Sequence, residues 1–495
     1  MARSTAPRPP SVLIIGAGFG GLAVATELVR AGFGDFTILE RADEIGGVWR
    51  ENTYPGAGCD IPSPLYSFSH RPNPDWPMRF SLQADIKTYL EDVAREYGVT
   101  GRIRFGTGAA SAEFDESTGR WRVRTEAGEV LEADVLVPAV GQLSRPALPD
   151  IAGRESFRGP AFHSAAWDHQ ADLAGKRVAV IGTGASAIQF VPRLQRIAGH
   201  VTVFQRSAPW IVPKNDVAYR RWHRALFRRL PVTQKIERFR IWLICEFLSL
   251  GLVDLPLVRR YLERLANRHR ESQVPDPELR AKLTPDYDPG CKRALFSNDY
   301  YPALTRPNVS VETEKIVEIV PEGVRTADGV VHEADALIYG TGFRATDFLA
   351  PMTVRGRGGA DLAGTWRDGA WAYLGMTVPG FPNLFLVYGP NTNLGGNSIV
   401  AMLESQARYI VQAVRALAGR PGVALDVKPE VAARFDTVLQ RKLGRSVWTR
   451  CSSWYRNEAG RIVNNWPGTV TQYRLRTRAL DLGDYRAITA GGGGA

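Results

Sequence analysis

Two glycine-rich turns carry most of the chemistry legible in this 495-residue sequence. Residues 12–21 read VLIIGAGFGG, so Gly16, Gly18 and Gly21 form a G-x-G-x-x-G run between an apolar strand and an apolar helix. Residues 178–187 read VAVIGTGASA and repeat the arrangement through Gly182, Thr183, Gly184, Ala185, Ser186 and Ala187. In such a turn the first glycine permits the tight bend and the second lets backbone approach a pyrophosphate. The third, Gly or Ala, allows close helix–strand packing. The helix N-terminus that follows offers unpaired N–H groups and a favourable dipole to the phosphates. Each turn has a charged residue 24 positions after its first glycine: Glu40, which ends FTILE, and Arg206, just after VTVFQ. A carboxylate there suits two free ribose hydroxyls, and an arginine suits a 2′-phosphate. The first unit is therefore expected to hold FAD or NAD, and the second NADP.

A second repeat supports a duplicated element set. Ala133, Asp134 and Gly141 recur as Ala334, Asp335 and Gly342 around short apolar strands, each late in its own unit. The expected architecture is α/β, with two Rossmann-like dinucleotide-binding domains, the second inserted in the first, and a helical insertion. The boundaries read as 1–144 and 381–495 for the first domain, 145–213 and 284–380 for the second, and 214–283 for the insertion. A flavin and NADPH in one chain imply electron transfer from nicotinamide to flavin.

Something must then take the electrons. Cys59, Cys245, Cys291 and Cys451 lie far apart with no C-x-x-C, which excludes a disulfide scaffold, a zinc ribbon and a local redox dithiol. No metal-ligand cluster or haem-attachment motif appears, so no metal is expected and molecular oxygen is the acceptor. With no signal-peptide-like start and no window of membrane-spanning length, a reducing, cytoplasmic home follows.

The formal charge of +11 is local: residues 214–270 hold 14 Lys and Arg against 5 Asp and Glu, a net +9. No nucleic-acid-binding motif accompanies it, so no nucleic-acid partner is expected. Trp222, Leu226 and Leu230 share one helical face, and residues 241–258 are strongly apolar. The favoured reading is a helical subdomain packed over a substrate entrance, with a basic membrane-surface helix as the alternative.

Residues 157–168, FRGPAFHSAAWD, set Phe157, Gly159, His163, Trp167 and Asp168 in a pattern that resembles the fingerprint of the type I Baeyer–Villiger monooxygenases. This is a branch of the class B flavin-dependent monooxygenases. Relatives that oxygenate amines and sulfides have a similar motif but usually lack the Trp-Asp ending. The resemblance extends to GGVWREN (46–52), YPGAGCD (54–60), CKR (291–293), YGTGF (339–343) and GPNTNLGGNS (389–398). It implies that NADPH reduces FAD and that oxygen adds at the flavin C4a to give a peroxyflavin. The peroxide then attacks a ketone, and the tetrahedral adduct rearranges to an ester or lactone. It further implies that Arg293 is the active-site arginine and Asp60 its carboxylate partner. Lys292 would bind the NADP 2′-phosphate with Arg206 and Ser207, while Gly47, Trp49 and Tyr66 would lie near the flavin. A guanidinium keeps a peroxide deprotonated and stabilises a tetrahedral oxyanion without itself titrating. Gly58 departs from the family, in which that position commonly carries a larger residue.

On the residues alone, Arg293 and Arg306 are equally eligible, and an aspartate before Ile-Pro-Ser reads as a turn residue. The resemblance implies that the fingerprint belongs to a linker between the domains, so His163 reads as structural and Trp167 as packing, and Ser186 does not sit in a nucleophile elbow. Two rival functions remain beside ketone oxidation: N- or S-oxygenation, and a non-catalytic redox-sensing flavoprotein at a membrane surface. The partners expected are a small ketone and O2, with the chain a monomer or homodimer.

Overall fold

The computed structural model describes residues 9–491 except 254, 452, 454 and 458, so the extreme ends of the first domain's two segments lie outside the described residues. The strand Val12–Ile15 is buried along its whole length, as a parallel strand covered on both faces must be. It lies between Phe36–Leu39 and Val135–Pro138, with Ile103–Arg104 outermost, all parallel. The helix Phe19–Arg30 buries Leu22, Val24 and Leu28 and packs against Ile399–Leu417, so the C-terminal part of the chain does return to the first unit.

The second sheet runs Val309–Glu312, His200–Phe204, Arg177–Ile181, Ala336–Tyr339, Ala161–His163, again all parallel. In both units an antiparallel three-stranded meander precedes the late strand: from Ala109–Asp115 to Val130–Ala133, and from Ile316–Val320 to Val331–Glu333. The repeated aspartates have a structural job. Asp134 accepts from Ser11 N (2.7 Å) and Ser11 Oγ (2.8 Å), and Asp335 accepts from Arg177 N (2.8 Å). Each thus ties its late strand to the start of the unit's first strand, and the Arg177 guanidinium holds the Asp335 carboxyl down at about 2.

Two sequence expectations need correction. The return to the first unit comes earlier than residue 381: Thr353–Arg355 pairs in parallel with Ala109–Asp115, and Val354, Leu362 and Trp366 share a core with Leu13, Phe114 and Trp121. Secondly, Cys291 and Cys451 are disulfide-bonded with a Cα–Cα separation of 6.1 Å across 160 residues, while Cys59 and Cys245 are free and buried. Cysteine spacing therefore no longer argues for a reducing compartment.

Four helices make up the insertion: Arg221–Arg229, Pro231–Val253, Pro256–Gln273 and Pro277–Lys282. Three of them begin with proline, whose missing N–H costs nothing in the first turn. Gln234 donates to Asn73 O (2.5 Å) and Arg238 to Pro64 O (2.5 Å), so the inner side of the long helix rests on the first unit.

Candidate active site

The first turn admits only glycine at its key points. Gly16 sits at φ +104°, and a Cβ there would lie 2.7 Å from Ala139 O; a Cβ on Gly21 would lie 1.9 Å from Gly16 O. Buried Glu40 follows the strand Phe36–Leu39 and accepts from Ala17 N (2.8 Å) and Ala42 N (3.0 Å). Its carboxylate is thereby aimed at the turn, where a ribose diol needs an acceptor. Gly18 and Gly47 face each other closely, since a Cβ on Gly18 would meet Gly47 Cα at 3.6 Å. Trp49 Nε1 donates to Tyr66 OH (3.2 Å), and Phe19 packs edge-on to Tyr66 at 5.1 Å. These residues fit a flavin dinucleotide: a side-chain-free cradle, an anchored carboxylate and an aromatic floor.

The second turn repeats the constraint at Gly182, where a Cβ would lie 2.4 Å from Gly340 O. Gly184 and Ala185 are exposed and Ser186 is half-buried at the start of the helix Ala187–Leu194. Thr183 Oγ1 donates to Ser207 O (3.3 Å), tying this turn to the segment after the strand His200–Phe204. Lys292 donates to Ser207 Oγ (2.8 Å), with its ammonium 4.4 Å from the centre of the Tyr287 ring. Burial, and then the neighbouring Arg206, push the Lys292 pKa down. Two cations held together with a hydroxyl are a donor set suited to a dianionic phosphate.

Between the two units lies the ion pair anticipated by resemblance. Arg293 donates from Nε and from Nη2 to the two oxygens of Asp60, both at 2.9 Å. The third contact, Nη1 to Leu394 O, is long at 3.4 Å. The Arg293 side chain is 25% exposed and that of Asp60 22%, so the pair is sheltered but open on one side. Asp60 raises the Arg293 pKa further above its ordinary range, which fixes the positive charge. Arg306, the sequence rival, is exposed just past the helix Tyr300–Leu304.

Several contributors were invisible to local pattern. Gln189 accepts from Tyr54 OH (2.9 Å) and Gly58 N (3.3 Å) and donates to Gly58 O (3.0 Å), pinning the Asp60 loop to a helix of the second unit. A Cβ on Gly58 would lie 3.2 Å from both Leu82 Cδ2 and Ser81 O, which accounts for the small residue there. Tyr388 and Tyr455 lie within electrostatic range of Arg293; burial raises both hydroxyls, Tyr455 to about 12, so they stay neutral donors. Tyr388, at φ +58°, also donates to Asn393 Oδ1 (2.7 Å). No local sequence pattern sets Tyr388 apart from the apolar strand-like run before it.

The fingerprint run is structural. His163 Nδ1 accepts from Ala165 N (3.1 Å), and burial lowers its pKa, which favours the neutral ring. Trp167 packs against Phe162 (5.2 Å) and Phe190 (5.3 Å), beneath Tyr54.

The chain is similar over most of its length to several known proteins. The flavin-binding monooxygenase-like family model matches residues 10–235. A protein of Streptomyces coelicolor named Baeyer-Villiger monooxygenase is 45% identical over 96% of this chain and 92% of its own length. An oxidized steroid monooxygenase bound to NADP, 29% identical, superposes with a TM-score of 0.86 over 97% of this chain and 99% of that one. OTEMO in complex with FAD and NADP, 25% identical, also gives 0.86, covering 98% and 100%.

Proposed function

Because the chain belongs to the Baeyer–Villiger monooxygenase family, we propose that Arg293 is its catalytic arginine and that Asp60 positions it. The enzyme uses FAD, NADPH and O2 to convert a ketone into an ester or lactone. FAD, reduced by NADPH, supplies the oxygen-activating chemistry. Gly16, Gly18, Gly21, Glu40, Gly47, Trp49 and Tyr66 would hold it. The turn from Gly182 to Ser186, with Arg206, Ser207 and Lys292, would hold NADP.

The chain's own part in the chemistry follows from how Arg293 is tethered. Asp60 occupies Nε and Nη2, which leaves the weakly tied Nη1 to face the reacting oxygens. A fixed guanidinium there favours a deprotonated attacking oxygen and a negative tetrahedral oxygen, both without giving up a proton. Tyr388, whose hydroxyl is committed to Asn393, and Tyr455 are kept neutral by burial, so neither places a negative charge beside Arg293.

We assign the FAD-binding domain to residues 1–144 together with the chain from Thr353–Arg355 onward. The NADP-binding domain then comprises 145–213 and the chain from 284 to that return, with 214–283 inserted. One chain supplies both cradles and the ion pair, so a monomer suffices for turnover.

The observation that carries the site reading is the bidentate pair across the two units, at 2.9 Å on both arms. Arg293→Ala should cut ester formation from a ketone by about 100-fold or more while NADPH still reduces the flavin. Ester formation at the wild-type rate in that variant would overturn the assignment.

A further inference from the structure

The long helix of the insertion turns a mixed, largely polar side to the protein and an apolar side to solvent. Towards the protein it places Gln234, Ile241, Cys245, Glu246 and Ser249, all buried. Towards solvent it places Val232, Ile236, Phe239, Leu243 and Phe247, each between 48% and 62% exposed. Spacings of four, three, four and four residues put these five side chains on one stripe. The stripe continues onto the next helix, Pro256–Gln273, through Leu257 (74% exposed) and Tyr261 (59%). Of the 21 large hydrophobic side chains exposed among the described residues, twelve fall between Val217 and Tyr261. An apolar stripe of this length on a surface helix ordinarily faces a partner rather than water.

Polar ties fix which side faces out. Besides the Gln234 and Arg238 contacts, Glu246 accepts from Asn397 Nδ2 (2.8 Å), Val470 N (2.9 Å) and Thr471 Oγ1 (2.7 Å). Turning the stripe inward would break all of these and leave the donors of Asn397 and Val470 facing apolar side chains without an acceptor. The outward stripe is therefore enforced by the same contacts that seat the helix.

Its rim is cationic. Lys235 and Arg240 flank the stripe on its own helix, and exposed Arg260, Arg264 and Arg268 line the next. Arg220, Arg221 and Arg229, also exposed, lie just ahead of it. A second copy of the chain is a poor cover, because a two-fold contact would set this net +9 segment against itself. Nor does the segment cross a bilayer. Among the described residues no single helix is long and apolar enough, and the two arms, 231–251 and 256–273, are bent by 106°. Crossing would also draw the arginine-rich second arm into hydrocarbon.

We propose that the outer face of residues 222–268 docks the enzyme on an anionic lipid surface. The apolar stripe enters the headgroup boundary and the surrounding arginines meet lipid phosphates. This inference is independent of which ketone the enzyme oxidises and of the role given to Arg293.

Flotation of the full-length FAD-loaded enzyme tests it, using phosphatidylcholine vesicles with and without phosphatidylglycerol, at low and high salt. The expected result is flotation with the anionic vesicles at low salt, and about tenfold or more weaker partition with phosphatidylcholine alone or at high salt. Phe239→Glu/Phe247→Glu should lower partition by about tenfold or more, with FAD content and ketone turnover in vesicle-free buffer unchanged. Arg260→Glu/Arg264→Glu/Arg268→Glu should do the same and flatten the salt dependence. Failure of the wild type to float, or flotation indifferent to both variants, overturns the proposal. So does a concentration-dependent dimer that does not float and that Phe239→Glu/Phe247→Glu converts to monomer, since a second copy would then cover the stripe.

Discussion

Removing the Asp60 carboxylate separates positioning from catalysis. Its two charge-assisted hydrogen bonds to Arg293 are 2.9 Å long. Shielded bonds of this kind contribute about 1.5–3 kcal/mol each, whereas exposed ion pairs contribute about 0–1 kcal/mol. With the side chains 25% and 22% exposed, a total of about 2–3 kcal/mol is the reasonable middle. Asp60→Ala frees the guanidinium to sample other rotamers, and kcat/KM for the ketone should fall about 30- to 150-fold. Arg293→Ala removes the charge itself and should cost about 100- to 1000-fold or more. The decisive measurement is the double variant, assayed for ester by gas chromatography and for flavin reduction by stopped flow. If Asp60 acts through Arg293, the double variant is no slower than Arg293→Ala, and flavin reduction in all three stays within about threefold of wild type. Losses that multiply would refute the reasoning and give Asp60 a role of its own.

The other expectations concern the cofactor grips and the loop. Lys292 has a depressed pKa and must be cationic to hold a phosphate, so kcat/KM for NADPH should fall as pH rises through a value below the usual lysine range. Lys292→Arg should push that alkaline limb upward, and an unchanged pH profile would count against the assignment. Arg206→Gln should lower the preference for NADPH over NADH by about tenfold or more, read from the ratio of kcat/KM values. Gly21→Ala forces a Cβ to 1.9 Å from Gly16 O, so the purified protein should contain little flavin, as an absorbance ratio will show. Gln189→Ala unpins the Asp60 loop and should divert reducing equivalents to hydrogen peroxide, measured as NADPH consumed without matching ester.

Local and distant features of this chain differ in how far the sequence exposes them. A turn that only glycine can make, with a charge one strand later, is written within 25 residues, so Gly16 with Glu40 and Gly182 with Arg206 were readable from spacing. The Asp60–Arg293 pair spans 233 residues and depends on how two sheets face each other. Residue types alone left Arg306 as eligible, and only the resemblance pointed to Arg293. Cys291–Cys451 and the early return at Thr353–Arg355 were missed for the same reason, since no periodicity encodes which distant segments meet. The insertion was legible as helical, but not its orientation. Periodicity points the apolar stripe inward, whereas the three polar anchors at Gln234, Arg238 and Glu246 turn it outward.

Three consecutive residues explain why the CKR tripeptide occupies its place between the two units. Cys291 is bonded to Cys451 in the C-terminal part, Lys292 reaches Ser207 beside the second turn, and Arg293 reaches Asp60 in the first unit. Under the proposed reading, one short segment thus joins the grip on the NADP phosphate to the catalytic arginine. Its own position is set from the flank by a covalent tether. The Asp60 loop is seated on the second unit in turn, through Gln189 and the Tyr54–Trp167 packing. Each unit thus holds the other's half of the ion pair, and any rotation between them that strained one tether would strain the rest.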